Sequence, residues 1–263
     1  MPDNSDPQMA LMFSFYQGVL RKGPGSEAST LKALSMLDRL SPTSRIVDFG
    51  CGAGVASLVL ARATQGIVTA VDIHQPFLQQ LETDAAREGL ADRIKTIRAD
   101  MADPPFPDGS FDLVWSEGAI YSIGFERGLK RWRRLLRAGG FIAVTEVSWL
   151  HETPPDKVVD FWKNEYPAMT NIEDNLTKFR AAGFEPIGPV VLPSEDWENY
   201  YGPLQEQLVV FRSKNAENAQ AQSFADSVQQ EIDIWKECGD SYGYVFYLGR
   251  ANDQLPRPGA YPD

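Results

Sequence analysis

Between Arg45 and Val147, short β-rich runs alternate with segments of helical composition, and that order leaves the chain few folds to choose from. The runs are 45–49, 67–71, 93–98, 111–116 and 141–147, and the helical segments are 54–63, 76–88 and 125–137. A strand followed by a helix and another strand packs as a βαβ unit, so the expected sheet is mainly parallel. Glycine and proline mark the connections: PPFPDGS precedes the fourth run, and Gly139-Gly140 forms a turn before the fifth. Upstream, 9–20 reads as an amphipathic helix, RKGPGS (21–26) as a loop, and 27–40 as a helix that Ser26 would cap. That helix carries Leu31, Leu34, Leu37 and Leu40 on one face and ends at Ser41-Pro42. Downstream, a helix is expected over 172–182, a strand over 185–192, a polar helical region over 195–238 and a strand over 242–248.

Composition narrows the function classes. With 263 residues, 43% of them hydrophobic and 23% charged, a core can form without covalent staples. Two cysteines, Cys51 and Cys238, are too few for a disulfide framework or a zinc cluster, and they favour a reducing compartment. A net charge of −11 repels a duplex, so no nucleic-acid partner is expected. The N-terminus carries acids where a secretory signal needs bases. Its apolar run from Met9 to Tyr16 is far shorter than the ~20 residues of a spanning helix. The expectation is a soluble, cytoplasmic protein with no membrane partner.

The first strand runs into Asp48-Phe49-Gly50-Cys51-Gly52-Ala53-Gly54. Such a glycine turn between strand and helix lets backbone N–H groups approach a ligand. A dinucleotide site wants G-x-G-x-x-G, and Val55 stands where its third glycine belongs. Asp48 beside the turn would repel a pyrophosphate and attract an ammonium or sulfonium. The ligand is therefore expected to be cationic near its middle, and S-adenosylmethionine fits. Asp72, about twenty residues past the first glycine, is placed to accept both hydroxyls of a ribose, with Ile73 beside it. Asp100 is a candidate for the adenine amine, with Met101 against the ring.

These pieces occur in a known order. VDFGCGAG (47–54), AVDIH (70–74), AD (99–100), PFPDGSFDLVWSEGAIYSIG (105–124) and LLRAGGFIAVTE (135–146) together resemble a class I S-adenosylmethionine-dependent methyltransferase of the small-molecule type. RKGPGS, WSEGAIYSIGFERGL and YGYVFYLG further resemble a bacterial subgroup of putative methyltransferases. The resemblance implies an α/β fold: a doubly wound, seven-stranded, mainly parallel sheet in the order 3-2-1-4-5-7-6. The last strand would be antiparallel, with 242–248 in that place and 195–238 as a helical insertion before it. It also implies a single methyltransferase domain over 1–263. Its parts would be an N-terminal helical lid (1–40), a cofactor-binding core (45–150), substrate-side elements with the end of the sheet (151–250) and a flexible tail (251–263).

The remaining candidates surround that core. Arg21, Lys22 and the Gly25-Ser26 loop suit both a helix cap and a lid over the methionine carboxylate. Glu117, after the fourth run, is expected to hold the cofactor, and Tyr121 offers a phenol toward the acceptor. His151 is the candidate base if the nucleophile needs one. Trp197, Tyr200 and Tyr201 would pack the insertion or line an acceptor pocket. No spacing of ligating side chains suggests a metal. The expected partner is a small-molecule methyl acceptor, with room left for a homodimer. A non-catalytic S-adenosylmethionine-binding protein, an aminopropyl transferase and an NAD oxidoreductase stay open as alternatives.

Overall fold

The computed structural model describes residues 7–38, 40–252 and 254. The expected tail (251–263) therefore lies mostly outside the described residues, as do residues 1–6 of the expected lid.

Strands β1 (Arg45–Phe49), β2 (Ile67–Asp72), β3 (Ile94–Arg98), β4 (Phe111–Ser116) and β5 (Leu136–Trp149) are joined in parallel, in the order 3-2-1-4-5. A two-residue β6 (Thr170–Asn171) touches the end of β5. Strands β7 (Phe184–Val191) and β8 (Tyr242–Ala251) complete the sheet, with β8 lying antiparallel between β5 and β7. Apart from the small β6, this is the order that the family resemblance implied. β4 is buried at every position, as a central parallel strand covered on both faces must be.

The helices are α1 (Pro7–Tyr16), α2 (Glu27–Ser35), α3 (Val55–Ala63), α4 (Gln75–Arg87), α5 (Phe125–Arg133), α6 (Asp156–Glu165), α7 (Ile172–Ala181), α8 (Ser194–Lys214) and α9 (Ala219–Cys238). Leu58, Leu60 and Leu81 belong to the apolar layer on one sheet face, with Trp115 and Phe246. Leu129, Trp132 and Phe179 belong to the other, with Val114 and Tyr247. A third apolar cluster lies outside these layers. Phe15, Phe161, Trp197, Leu204, Phe211 and Ile232 join α1, α6, α8 and α9 into a helical cap over the end of β5 and the start of β8.

Several elements differ from the sequence reading. α1 ends at Tyr16 rather than 20, because the chain turns through Val19 N–H onto the Tyr16 carbonyl at 3.1 Å. α2 ends at Ser35 and buries Ser29, Thr30 and Ala33, while Leu31 is exposed. Its Ser26 cap is present: Ser29 N–H donates to Ser26 Oγ at 3.1 Å. Gly139-Gly140 is a bulge inside β5, not a turn before it. Between Phe111 and Leu113 on β4, the facing positions move from Leu136 to Phe141. α6 was not anticipated, although Val158 and Phe161 bury one face at helical spacing. The region 195–238 is two long helices. Pro203 sits inside α8 without ending it. An interior proline costs ~3 kcal/mol, which is offset here by burial of Trp197, Tyr200, Tyr201, Leu204, Leu208 and Phe211. No described helix is long and apolar enough to cross a membrane.

Candidate active site

The glycine turn is tight for steric reasons. Gly50, Gly52 and Gly54 have φ of 65°, 54° and 79°, a region that side chains disfavour. A Cβ on Gly50 would sit 2.3 Å from the Ala119 methyl, and one on Gly54 would sit 2.2 Å from Leu81 Cδ1. Asp72 clips the turn to the end of β2. Its Oδ2 accepts from Gly52 N–H at 2.9 Å and its Oδ1 from His74 N–H at 2.8 Å. Burial pushes the Asp72 pKa up and these two N–H groups pull it back. Each carboxylate oxygen keeps a lone pair for a further donor, as a ribose diol would require.

The turn opens on a cavity of about 1100 Å³. One end is lined by Gly50, Gly52, Asp72, Ile73, Asp100 and Met101. Asp100 Oδ1 accepts from Ala102 N–H at 2.8 Å, and Trp132 Nε1 donates to the Met101 carbonyl at 2.9 Å, so both residues are fixed by the backbone around them. The other end runs under the helical cap, past Phe161, Trp162, Trp197, Tyr200, Val228 and Tyr244. A drug-sized ligand needs about 300–1,000 Å³, so this volume has room for a cofactor and an acceptor together.

A smaller chamber of about 60 Å³ adjoins the turn and is lined by Arg21, Asp48, Cys51 and Glu117. Glu117 accepts from Arg21 Nη1 at 3.1 Å, Thr30 Oγ1 at 2.7 Å and Trp115 Nε1 at 3.0 Å. Arg21 Nη2 is buried without a partner, a donor that a ligand carboxylate would satisfy. Asp48 is 1% exposed and accepts from Ser57 Oγ at 2.6 Å. Burial pushes its carboxyl up to about 8. A ligand cation would restore its charge. Gly25 and Ser26 lie behind this chamber rather than on its wall. Gly25 N–H donates to the Asp196 carbonyl at 3.2 Å, and a Cβ on Gly25 would meet Arg21 Nη1 at 2.5 Å. Lys22 is turned inward onto the carbonyls of Tyr16 and Val19, and burial lowers its ammonium to about 8.

Met9, Met12, Phe13, Tyr16 and Pro24, from α1 and the loop after it, line the cavity. Phe13 stacks on His74 with centroids 4.0 Å apart, so His74 meets α1. Tyr121 also lines the cavity, 6.0 Å from the Tyr166 ring. His151 is not brought to the site. β5 ends at Trp149, and His151 is exposed on the loop that follows, outside the cavity lining. Trp197 and Tyr200 are on the cavity wall, and Tyr201 is buried behind it.

Sequence reasoning missed three polar pairs here. Tyr166 donates to Glu146 Oε1 at 2.5 Å, and burial pushes the Glu146 carboxyl up to about 7. Tyr201 donates to Glu231 Oε1 at 2.8 Å, and Tyr16 and Tyr200 share a hydroxyl hydrogen bond of 2.8 Å. The partners lie 20, 30 and 184 residues apart. Only the tyrosine-rich stretch of α8 signalled any of them. Among the described residues there is no cluster of ligating side chains fit for a metal ion.

The cradle without Cβ atoms, the orphan Arg21 donor and the buried acid beside the turn all fit S-adenosylmethionine. The family model described as "Methyltransferase domain" matches residues 47–144. A sterol 24-C-methyltransferase of Gibberella zeae is 27% identical over 202 residues, covering 66% of this chain and 51% of the relative. This chain thus spans about half the length of that relative. The 27-O-demethylrifamycin SV methyltransferase of Amycolatopsis mediterranei is 26% identical, with 80% of this chain and 78% of the relative covered. Among solved structures, a SAM-dependent methyltransferase from Geobacter sulfurreducens in complex with S-adenosyl-L-homocysteine superposes with a TM-score of 0.78. It is 21% identical, covering 92% of this chain and 98% of the other, a likeness of fold.

Proposed function

We propose that this chain, a class I S-adenosylmethionine-dependent methyltransferase, moves a methyl group to a small organic acceptor held under its helical cap. One observation supports the small acceptor above the rest. The cavity that begins at the glycine turn continues without a break into an aromatic chamber walled by α1, α6, α8 and α9. A concave aromatic chamber of that kind suits a small molecule better than a protein or nucleic-acid chain.

When bound, S-adenosylmethionine supplies a methyl group already activated by its sulfonium, open to in-line attack. The residues then mainly bind, align and exclude water. Asp72 would accept the ribose hydroxyls, Asp100 would take the adenine amine, and Ile73 and Met101 would hold the adenine. Arg21 would meet the methionyl carboxylate, and Asp48 and Glu117 would hold the cationic part. Gly25 and Ser26 shape the loop that presents Arg21. Tyr121 walls the acceptor end, whereas His151 is too remote to act as a base without rearrangement. Residues 1–40 serve as lid, 45–150 as cofactor core and 151–250 as acceptor elements of one domain.

Calorimetry with S-adenosylmethionine, S-adenosylhomocysteine and NAD tests the cofactor half of this reading. Binding of the first two and not of NAD is expected, and the reverse overturns it. Transfer of labelled methyl groups to a panel of small metabolites tests the rest. Tight cofactor binding with no transfer to any of them would favour a non-catalytic binder.

A further inference from the structure

We propose that the acceptor is a cationic amine, seated by its nitrogen against the Glu231 carboxylate within a ring of aromatic side chains. This deepens the methyl-transfer reading above and rests on it.

Glu231 projects from α9 into the acceptor end of the cavity. Among the described residues, it accepts a hydrogen bond from the hydroxyl of Tyr201, which lies outside the cavity lining. No lysine or arginine among the described residues is paired with it. Lys157 on α6 pairs with Glu237, and Arg212 on α8 pairs with Asp226. The groups that act on it electrostatically are Tyr201 and another acid, Glu165, which also lines the cavity. A carboxylate withdrawn from water without a cation is costly, and one that serves only to hold a tyrosine does not need to face a cavity.

The walls agree with the charge. Glu231 acts on the phenols of Tyr16, Tyr121, Tyr200 and Tyr244, all four of which line the cavity. Trp197 stands beside Tyr244 with centroids 5.4 Å apart. The faces of such rings are electron-rich, so a carboxylate among them makes a cavity that prefers cations. Of the lining cations, Lys22 spends its ammonium on backbone carbonyls, and Arg127 is exposed on α5. An anionic or strongly acidic acceptor would meet Glu165 and Glu231 with like charge.

An ammonium nitrogen has no lone pair, so it must lose a proton before it can attack. The Glu231 oxygen not held by Tyr201 takes that proton. An ammonium and a carboxylate become a neutral amine and a carboxylic acid, with charge conserved. Burial already favours the neutral form of this acid, which eases the transfer.

The test is a calorimetric titration of the full chain saturated with S-adenosylhomocysteine. The probes are 4-phenylbutylamine, 4-phenylbutanol and 4-phenylbutyrate, one carbon skeleton with three charges. The amine is expected to bind about tenfold or more tighter than the alcohol, and the butyrate more weakly than both. Glu231→Gln is expected to bring the amine down to the affinity of the alcohol and leave the alcohol unchanged. An amine that binds no better than the alcohol, or not at all, overturns the inference. So does an amine preference that survives Glu231→Gln. The wild-type comparison decides the matter even if the variant fails to fold. Saturation with S-adenosylhomocysteine is measured first, so a failure there strikes the cofactor reading and not this one.

Discussion

The two ends of the cavity are built in different ways. At the cofactor end, the chain uses backbone: three left-handed glycines, N–H groups and one carboxylate that clips the turn to the next strand. These parts lie within the 23 residues from Gly50 to Asp72. At the end under the helical cap it uses side chains: tyrosines, tryptophans and two acids from α1, α6, α8, α9 and β8. A backbone site fixes what must stay constant, because few substitutions change where an N–H points. A side-chain site can change its ligand one residue at a time.

The contrast sets the expected size of each substitution. Gly50→Ala should do the most damage. It forces φ of 65° on a residue with a Cβ and drives that Cβ to 2.3 Å from Ala119. A stability loss of about 2–4 kcal/mol in denaturant titration is expected, with S-adenosylhomocysteine binding lost. Gly202→Ala, on α8 of the cap, is the control. Its added Cβ meets nothing within 4 Å, and a helical alanine should leave stability unchanged or raise it by about 0.5–1 kcal/mol. Equal damage from both would erase the distinction between the two ends.

Asp72→Ala comes next. Charge-assisted hydrogen bonds contribute about 1.5–3 kcal/mol, so S-adenosylmethionine should bind about ten- to a hundredfold more weakly while the chain stays folded. Unchanged affinity in calorimetry would remove Asp72 from the ribose.

Asp48 gives a pH signature. Its folded pKa is raised to about 8 from an ordinary 3.8. Between those values the folded state holds a proton that the unfolded chain has released. The contribution of Asp48 to stability is therefore full below pH 3.8 and lost as pH rises through about 8. Glu146, raised to about 7 from 4.5, adds a loss of the same sign over its own window. Asp48→Asn is expected to flatten the decline. A ligand cation that recharges Asp48 should expel its proton, so S-adenosylmethionine binding at pH 7 should release up to one proton. Calorimetry in buffers of different ionisation enthalpy reads that directly, and a zero slope would place the cation elsewhere.

The smallest effect is expected from Tyr200→Phe. Losing the hydroxyl pair with Tyr16 costs about 0.5–1.5 kcal/mol and should leave cofactor affinity in place. A large loss of cofactor affinity would mean that the two ends are less separate than their construction implies.

The same contrast explains what the sequence disclosed. Gly50, Gly52, Gly54 and Asp72 are neighbours in the chain, and their spacing carries the geometry. The parallel strands announced themselves as apolar runs between glycine turns, which is why a mainly parallel sheet was readable, while the order of its strands came from the family resemblance. Glu231 looked like any polar residue on a mainly polar helix, because its neighbours Tyr16, Tyr121 and Tyr244 come from three other elements. His151 misled for the opposite reason. Its position after a strand suggested the ligand side, but β5 runs two residues past the expected end and carries the loop away from the cavity.

Helix α1 belongs to both ends. Its Phe13 lies on His74, two residues from Asp72, and its Tyr16 is bonded to Tyr200 on the far wall. One ten-residue helix thus has a surface on each compartment, so any displacement of it that uncovered one would uncover the other as well.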